Sequence, residues 1–188
     1  MVTIRTVTWI DAPVERCFKL ATSVDFQLAA SKNKNVKVVA GAKSGLLEQG
    51  GTITWQGPMF GLGRIHTNRV EAFRPFSYLF EKMVSGGFKV YEHERHFAAM
   101  DDGTRIKDEV RFSVGWGPFG RLIDKGMLKH RVVALIKWQN EALKETAESD
   151  LWKRFLESSS PEVVATEFQG GGKKLGPKVE TKSHFFAH

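Results

Sequence analysis

The chain has 188 residues, of which 41% are hydrophobic, and a formal net charge of +7. This length suits one domain plus a tail, and this hydrophobic fraction excludes a wholly disordered protein. The single cysteine, Cys17, excludes an intramolecular disulfide and a cysteine-based metal cluster, and it favours a cytoplasmic location. The N-terminal segment has no apolar stretch of signal-peptide length, and no window reaches the ~20 apolar residues of a membrane span.

The excess positive charge lies within residues 1–156, because the four lysines and four glutamates from Glu157 onward cancel. The basic residues are scattered, as at Lys32, Lys37 and Lys43, and form no dense run. We interpret them as a solvated surface, which argues against a nucleic-acid partner. The alternative is an interaction module that uses this basic surface on RNA or on an anionic membrane.

The first part of the chain predicts a strand followed by two short helices. Residues 2–10 are mostly apolar or β-branched, which is typical of a strand. The segment Asp11-Ala-Pro13 predicts a helix start, because proline is favoured in the first turn. A second short helix is predicted over residues 25–31. The apolar positions that share one face of the first helix are Val14, Cys17, Phe18 and Ala21.

The middle of the chain predicts an antiparallel meander. Glycine, proline and aspartate pairs interrupt it at short intervals, and such pairs are turn signals. Strands joined by short turns pair in the antiparallel sense. The six predicted strands are residues 36–40, 52–56, 64–72, 78–83, 88–99 and 104–114.

One long helix is predicted from residue 119 to about residue 148, within a stretch that has no proline as far as about residue 155. At 1.5 Å per residue, a helix of about 30 residues is ~45 Å long and would cross most of the sheet. We predict a domain over residues 1–157 and a flexible tail over residues 158–188, which has no apolar period. The predicted apolar stripe of the helix is Leu128, Val132, Leu135, Gln139 and Ala142, with Val133, Ile136 and Leu143 beside it.

Several segments resemble one known superfamily. The sequence GFKVYEHERHF at residues 87–97 resembles the "GPF…w.H.H.F" strand of bacterial ligand-binding SRPBCC proteins. APVERCF at residues 12–18 is similar to their opening, Asp102-Gly-Thr104 with Asp108-Glu-Val110 to their last hairpin, and Gly117-Pro-Phe-Gly120 to the entry into their final helix. Over about residues 3–146 the chain thus resembles the SRPBCC superfamily, which contains Bet v 1/START-like and polyketide cyclase/dehydrase-like ligand-binding proteins.

The resemblance implies an α+β helix-grip fold, in which a curled antiparallel sheet surrounds a long C-terminal helix and two short helices follow the first strand. It also implies a small hydrophobic molecule as partner and no cofactor. The chain departs from the pattern at Arg95, which replaces the second histidine, while His96 is shifted by one place. Because strand residues alternate between faces, His96 faces away from His93, and we predict no metal site.

Alternation also predicts which polar side chains face the interior. If Phe97 points inward, then Tyr91, His93 and Arg95 share its face. Counting by twos on the neighbouring predicted strands adds four more side chains to this face. The predicted ligand-binding residues are His66, Asn68, Tyr91, His93, Arg95, Phe97, Asp108 and Phe112.

Three interpretations of this polar cluster are open. It could orient the polar end of an apolar ligand, with Arg95 pairing a ligand carboxylate. Alternatively, Arg95 and Asp108 could form a structural pair across neighbouring strands. A β-bulge would invert the alternation and direct the other residues inward, namely Glu92, Glu94 and His96.

The leading functional hypothesis is binding or transport of a lipid, polyketide or isoprenoid-like ligand in an internal cavity. The alternative is a cyclase/dehydratase-type enzyme, with His93 or His66 as general base and Tyr91 or Arg95 stabilising an oxyanion. The chain has no G-x-S-x-G and no H-E-x-x-H motif. We interpret Cys17 as a core residue because it lies on the apolar helix face.

Overall fold

Seven antiparallel strands form one sheet in the order β1-β7-β6-β5-β4-β3-β2 in the computed structural model. The structure describes residues 1–31, 35–57, 65–115 and 125–157. The strands are β1 Val2–Ile10, β2 Lys37–Gly41, β3 Thr52–Gln56, β4 Ile65–Arg74, β5 Tyr78–Ser85, β6 Val90–Met100 and β7 Gly103–Ser113. The helices are α1 Val14–Thr22, α2 Val24–Ala29, α3 Lys125–Glu148 and α4 Trp152–Leu156.

The predicted order of elements is the observed one up to α3. Each predicted strand has its counterpart, with ends that differ by at most two residues, because glycine and proline turns mark them in the sequence. The last strand, β7, is antiparallel to the first strand, β1, and pairs with it over the whole of β1, from Val2 opposite Phe112 to Ile10 opposite Thr104.

The C-terminal helix α3 ends at Glu148, where the sequence predicted its end. A further short helix that was not predicted, α4, begins at Trp152. A contact with α1 accompanies the break: Arg16 donates from Nη1 to the Ala147 carbonyl oxygen over 2.8 Å, and its guanidinium lies 4.5 Å from the Trp152 ring centre. The predicted helix start and the tail at residues 158–188 lie outside the described residues.

The buried face of α3 agrees with the predicted stripe at Leu128, Val132 and Ala142 and differs from it at two positions. Leu135 and Gln139 are only half-buried, whereas Asn140 is 3% exposed. The predicted stripe continued from Val132 to Leu135 because Leu135 is apolar. In the structure the buried positions instead follow one another at intervals of four residues as far as Asn140. The buried residues along this face are Leu128, Val132, Ile136, Asn140, Leu143 and Ala147.

The apolar interior is divided into two clusters. The first apolar cluster lies against α1 and α2 and the C-terminal part of α3; Phe18 is at its centre, with its ring 5.1 Å from that of Phe97. The second apolar cluster lies against the first half of α3. The residues of the first cluster used below are Phe18, Val70, Leu79, Phe97, Ile106 and Leu143, and those of the second are Ile4, Met83, Tyr91, Val110, Phe112 and Ile136.

Gly103 allows the β6–β7 turn to approach the end of β1. Its φ is +146°, and a Cβ atom there would collide with the carbonyl oxygen of Ile10. The Gly103→Ala variant should therefore lose about 2 kcal/mol of unfolding free energy, as strained backbone substitutions typically do. Urea denaturation measures this loss. The control is Gly115→Ala, where no heavy atom lies within 4 Å of the added Cβ; equal stability of the two variants would contradict the prediction.

Candidate functional site

A band of polar side chains crosses the inner face of the sheet between the two apolar clusters. On β7, Asp108 lies between Ile106 of the first cluster and Val110 of the second. On β6, Arg95 and His93 occupy the same level between residues of the two clusters. Because alternate residues of a strand share one face, these polar groups face the same interior as the apolar ones.

Neighbouring elements continue this band at the same level. Glu81 lies between Leu79 and Met83 on β5, and Asn140 lies between Leu143 and Ile136 on α3. We call the band the polar belt. Its residues at this level are Thr6 and Thr8 on β1, Asp108 on β7, His93 and Arg95 on β6, Glu81 on β5 and Asn140 on α3. We include two residues of β4 that continue the same face beyond this level, namely Asn68, which pairs with Met83, and His66.

Asp108 is the centre of the β1 side of the belt and is 3% exposed. Its Oδ1 accepts hydrogen bonds from Arg95 Nε over 2.9 Å and from His93 Nε2 over 2.8 Å. Its Oδ2 accepts from Asn140 Nδ2 over 2.7 Å and from the Thr6 hydroxyl over 3.3 Å. Both oxygens of the carboxylate are therefore fully used.

Asn140 joins α3 to this arrangement. Its Oδ1 accepts from Arg95 Nη2 over 2.8 Å, and its Nδ2 also donates to the Thr8 hydroxyl over 3.0 Å. Arg95, which is 7% exposed, thus donates to two partners from two different nitrogens. We call this group the closed half of the belt, because each member makes at least one hydrogen bond to another: Thr6, Thr8, His93, Arg95, Asp108 and Asn140.

The closed half holds Asp108 in its charged form. Burial by itself would raise the pKa of Asp108, but the Arg95 guanidinium and the hydrogen bond from His93 more than offset burial and hold that pKa well below its usual range. Because the carboxylate carries no proton, Nε2 of His93 is the donor in their hydrogen bond.

The other side of the belt is different. Glu81 lies opposite His93 across the β5–β6 pair and is half-buried, and its carboxyl group makes no hydrogen bond with a described residue. Asn68 Oδ1 and His66 Nδ1 are buried, and neither has a hydrogen-bond partner in the described part of the chain. We call Glu81, Asn68 and His66 the open half of the belt.

Burial changes the titration of the open half. It raises the pKa of Glu81, an effect that the neighbouring side chains of His93 and Arg95 reduce in part. It lowers the pKa of His66, so the neutral imidazole persists to lower pH than in water. Both shifts reflect the cost of burying a charge on this side of the interior.

The structure places the eight predicted residues as follows. Tyr91, His93, Arg95 and Phe97 are on the buried face of β6, and Asp108 and Phe112 are on the buried face of β7, while His66 and Asn68 are half-buried on β4. Phe97, Phe112 and Tyr91 belong to the apolar clusters rather than to the belt. The Arg95–Asp108 pair, one of the two roles considered for these residues, is present.

The inverted arrangement does not occur. The β6–β7 register runs without a shift from Val90 to Met100, so no bulge reverses the alternation. Glu94 is on the other face of β6, where it accepts a hydrogen bond from the Tyr78 hydroxyl over 3.0 Å and forms an ion pair with Arg111. His96 is exposed on that same face, and its ring centre lies 4.8 Å from that of Tyr78.

The sequence analysis missed four residues of the belt. Glu81 alternates with Leu79 and Met83, so counting by twos along β5 would have found it. Thr6 and Thr8 alternate in the same way with the buried residues of β1. Asn140 follows Ile136 by four residues, a spacing that places both on one helix face.

Other kinds of site find no support within the described ranges. No cluster of three or more histidine, cysteine, aspartate or glutamate side chains there could hold a metal ion. None of the helices in those ranges combines the length and apolarity of a membrane span. Cys17 is buried in the first apolar cluster, and burial raises the pKa of its thiol, which makes it less reactive.

The structure has a helix-grip fold of the Bet v 1/START-like class. Its features are the order of strands in the sheet, the two short helices after β1, and the hydrogen bonds that join α3 to the inner face of the sheet. Solved structures share this fold. A START superfamily protein from Mycobacterium smegmatis is 13% identical with a TM-score of 0.61, over 78% of this chain and 97% of that chain. Ara h 8.0201 is 14% identical with a TM-score of 0.57, again over 78% of this chain and 97% of that chain.

The Aha1 dimer from Colwellia psychrerythraea is 16% identical with a TM-score of 0.53, over 79% of this chain and 97% of its own. No protein-family model matches the chain, and no curated protein matches its sequence. At these identities the similarity concerns the fold. The helix-grip class predicted from the sequence is thereby confirmed.

Proposed function

We propose that the protein binds a small hydrophobic ligand between the inner face of its sheet and α3, against the apolar clusters and the open half of the polar belt. A lipid, polyketide or isoprenoid-like molecule in an internal cavity fits this proposal. The free cysteine Cys17 agrees with a cytoplasmic location as part of it.

The open half of the belt carries the proposal. A buried polar atom without a hydrogen bond costs about 1–3 kcal/mol, and native proteins contain few of them. Asn68 Oδ1 and His66 Nδ1 are two such atoms on one strand, with the free carboxyl group of Glu81 on the next. A bound molecule that supplies hydrogen bonds here and covers the adjoining apolar side chains would remove this cost.

The surroundings of these groups support the same function. Asn68 is paired with Ile53 on β3 and with Met83 on β5, so a ligand that reached its amide would contact apolar side chains on both sides. Fold neighbours of the START superfamily and the Bet v 1-like class add support, since helix-grip proteins of these groups are ligand-binding.

The cyclase/dehydratase alternative has fewer groups available. Nε2 of His93 is bonded to Asp108, and Arg95 donates to both Asp108 and Asn140. The pKa of Tyr91 is raised by burial, so its phenol remains protonated. His66 is then the remaining candidate for a general base.

A neutral apolar dye tests the proposal. Nile red should bind the wild-type protein saturably with micromolar affinity, equivalent to about −8 kcal/mol. The Asn68→Trp variant should weaken this binding at least tenfold, because the indole would occupy the inner face of β4. Fluorescence titration measures both affinities, and circular dichroism verifies that the variant is folded.

The matched control is Arg69→Trp, since Arg69 is the next residue along β4 and is exposed on the opposite face. This variant should bind Nile red as the wild type does. Absence of saturable binding to the wild type, or equal binding by the two tryptophan variants, would contradict the proposal.

A further inference from the structure

We infer that the open half of the polar belt selects an apolar ligand whose polar group donates hydrogen bonds and carries no negative charge, such as a hydroxyl group. This inference rests on the proposed function and specifies the ligand class. It follows from which hydrogen-bonding groups the belt leaves free and which it has already used.

The free groups are mainly acceptors. Asn68 Oδ1 is a carbonyl oxygen and can only accept a hydrogen bond. The Glu81 carboxyl group has no donor among the described residues, and it accepts hydrogen bonds in either protonation state. A ligand hydroxyl group can donate to either oxygen, whereas a ligand carboxylate can donate to neither.

The cationic group of the belt is already neutralised. Arg95 donates from Nε to Asp108 and from Nη2 to Asn140, and Asp108 supplies its counter-charge. A ligand carboxylate at the open half would therefore lie near Glu81 with no unpaired cation in the belt to balance it. Arg95 is thus placed to hold α3 and the sheet together rather than to bind an acidic ligand.

The titration of Glu81 agrees with this picture. Burial raises its pKa even though His93 and Arg95 lie nearby and act in the opposite direction. The interior at this point disfavours one negative charge, so a second from a ligand would be disfavoured further. A neutral donor adds no charge and supplies the missing hydrogen bond.

Competition with Nile red at constant pH tests the inference. The competitors are 1-dodecanol and dodecanoate, which share one chain and differ in the polar group. In Glu81→Gln, which keeps an acceptor oxygen but removes the charge, dodecanoate should bind at least fivefold more tightly, while dodecanol should change less than twofold. The ratio of the two affinities is the readout, because it cancels any general change in the site.

The matched control is Glu71→Gln, since Glu71 is on the outer face of β4 and pairs with Arg69 at 2.6 Å. Its ratio should equal that of the wild type. An unchanged ratio in Glu81→Gln, with Nile red still bound, would overturn this inference and leave the proposed function standing. Failure of Nile red to bind the wild type would instead overturn the proposed function.

A second variant tests the hydrogen bond itself. Asn68→Leu removes the free carbonyl oxygen and should weaken dodecanol at least fivefold relative to its methyl ether, which has no donor. Equal weakening of the alcohol and the ether would show that Asn68 contributes only packing, and it would overturn the donor requirement.

Discussion

Asp108→Asn is expected to lower the free energy of unfolding by about 3–5 kcal/mol, because it leaves the buried Arg95 without its counter-charge. All four neighbours of Asp108 donate hydrogen bonds to it, two at each oxygen. An asparagine offers one acceptor oxygen, so in either orientation its NH2 group would face two donors. The loss therefore combines an uncompensated charge with unfavourable donor–donor contacts.

Urea denaturation at pH 7 measures this effect, and Glu109→Gln is its control. Glu109 is the next residue, faces outward and accepts a hydrogen bond from the exposed Arg5 over 2.7 Å. Surface pairs of this kind contribute about 0–1 kcal/mol. A loss in Asp108→Asn no larger than in this control would contradict the prediction.

The pH dependence gives an independent test of the same charge. Because the folded-state pKa of Asp108 is depressed, its stabilisation is fully present above the unfolded-state value of 3.8 and is lost as the pH falls through the folded-state value. The stability difference between wild type and Asp108→Asn should therefore be constant above about pH 5 and become smaller below about pH 4. A difference that widens in acid would contradict this assignment.

Asn140→Leu is expected to destabilise the protein by about 3 kcal/mol, although it adds apolar volume to a buried position. The change removes the bonds of Asn140 to Arg95, Asp108 and Thr8, and it leaves those buried groups with fewer partners. The control is Gln139→Leu, a half-buried neighbour on the same helix that should change stability by less than about 1 kcal/mol. Thermal and urea denaturation compare the two, and equal stabilities would show that the belt does not depend on α3.

The strand residues of the site could be predicted from the sequence, because side chains alternate strictly between the two faces of an unbroken strand. Phe97 fixed the orientation of β6, and counting by twos reached Arg95 and His93. Glu81 was overlooked for another reason. A carboxyl group is normally solvated, so apolarity alone gives no indication that its strand position faces the interior.

The helix side could not be predicted in the same way. Asn140 is polar, so a stripe drawn through apolar residues leaves it out. Its burial follows from its hydrogen bonds to Arg95, Asp108 and Thr8 on the strands. The break between α3 and α4 is accompanied by a contact between Arg16 and Trp152, which meet only when α1 and α4 are packed together. Contacts between residues so far apart in the chain leave no local pattern in the sequence.

The distances along the chain within the closed half have a consequence for synthesis from the N-terminus. Thr6 and Asp108 are 102 positions apart, and Thr8 and Asn140 are 132 positions apart. Arg95 and Asp108 are thus synthesised before Asn140, the helix residue that accepts a hydrogen bond from Arg95 and donates one to Asp108. The closed half can therefore be completed only after Asn140 has been added to the chain.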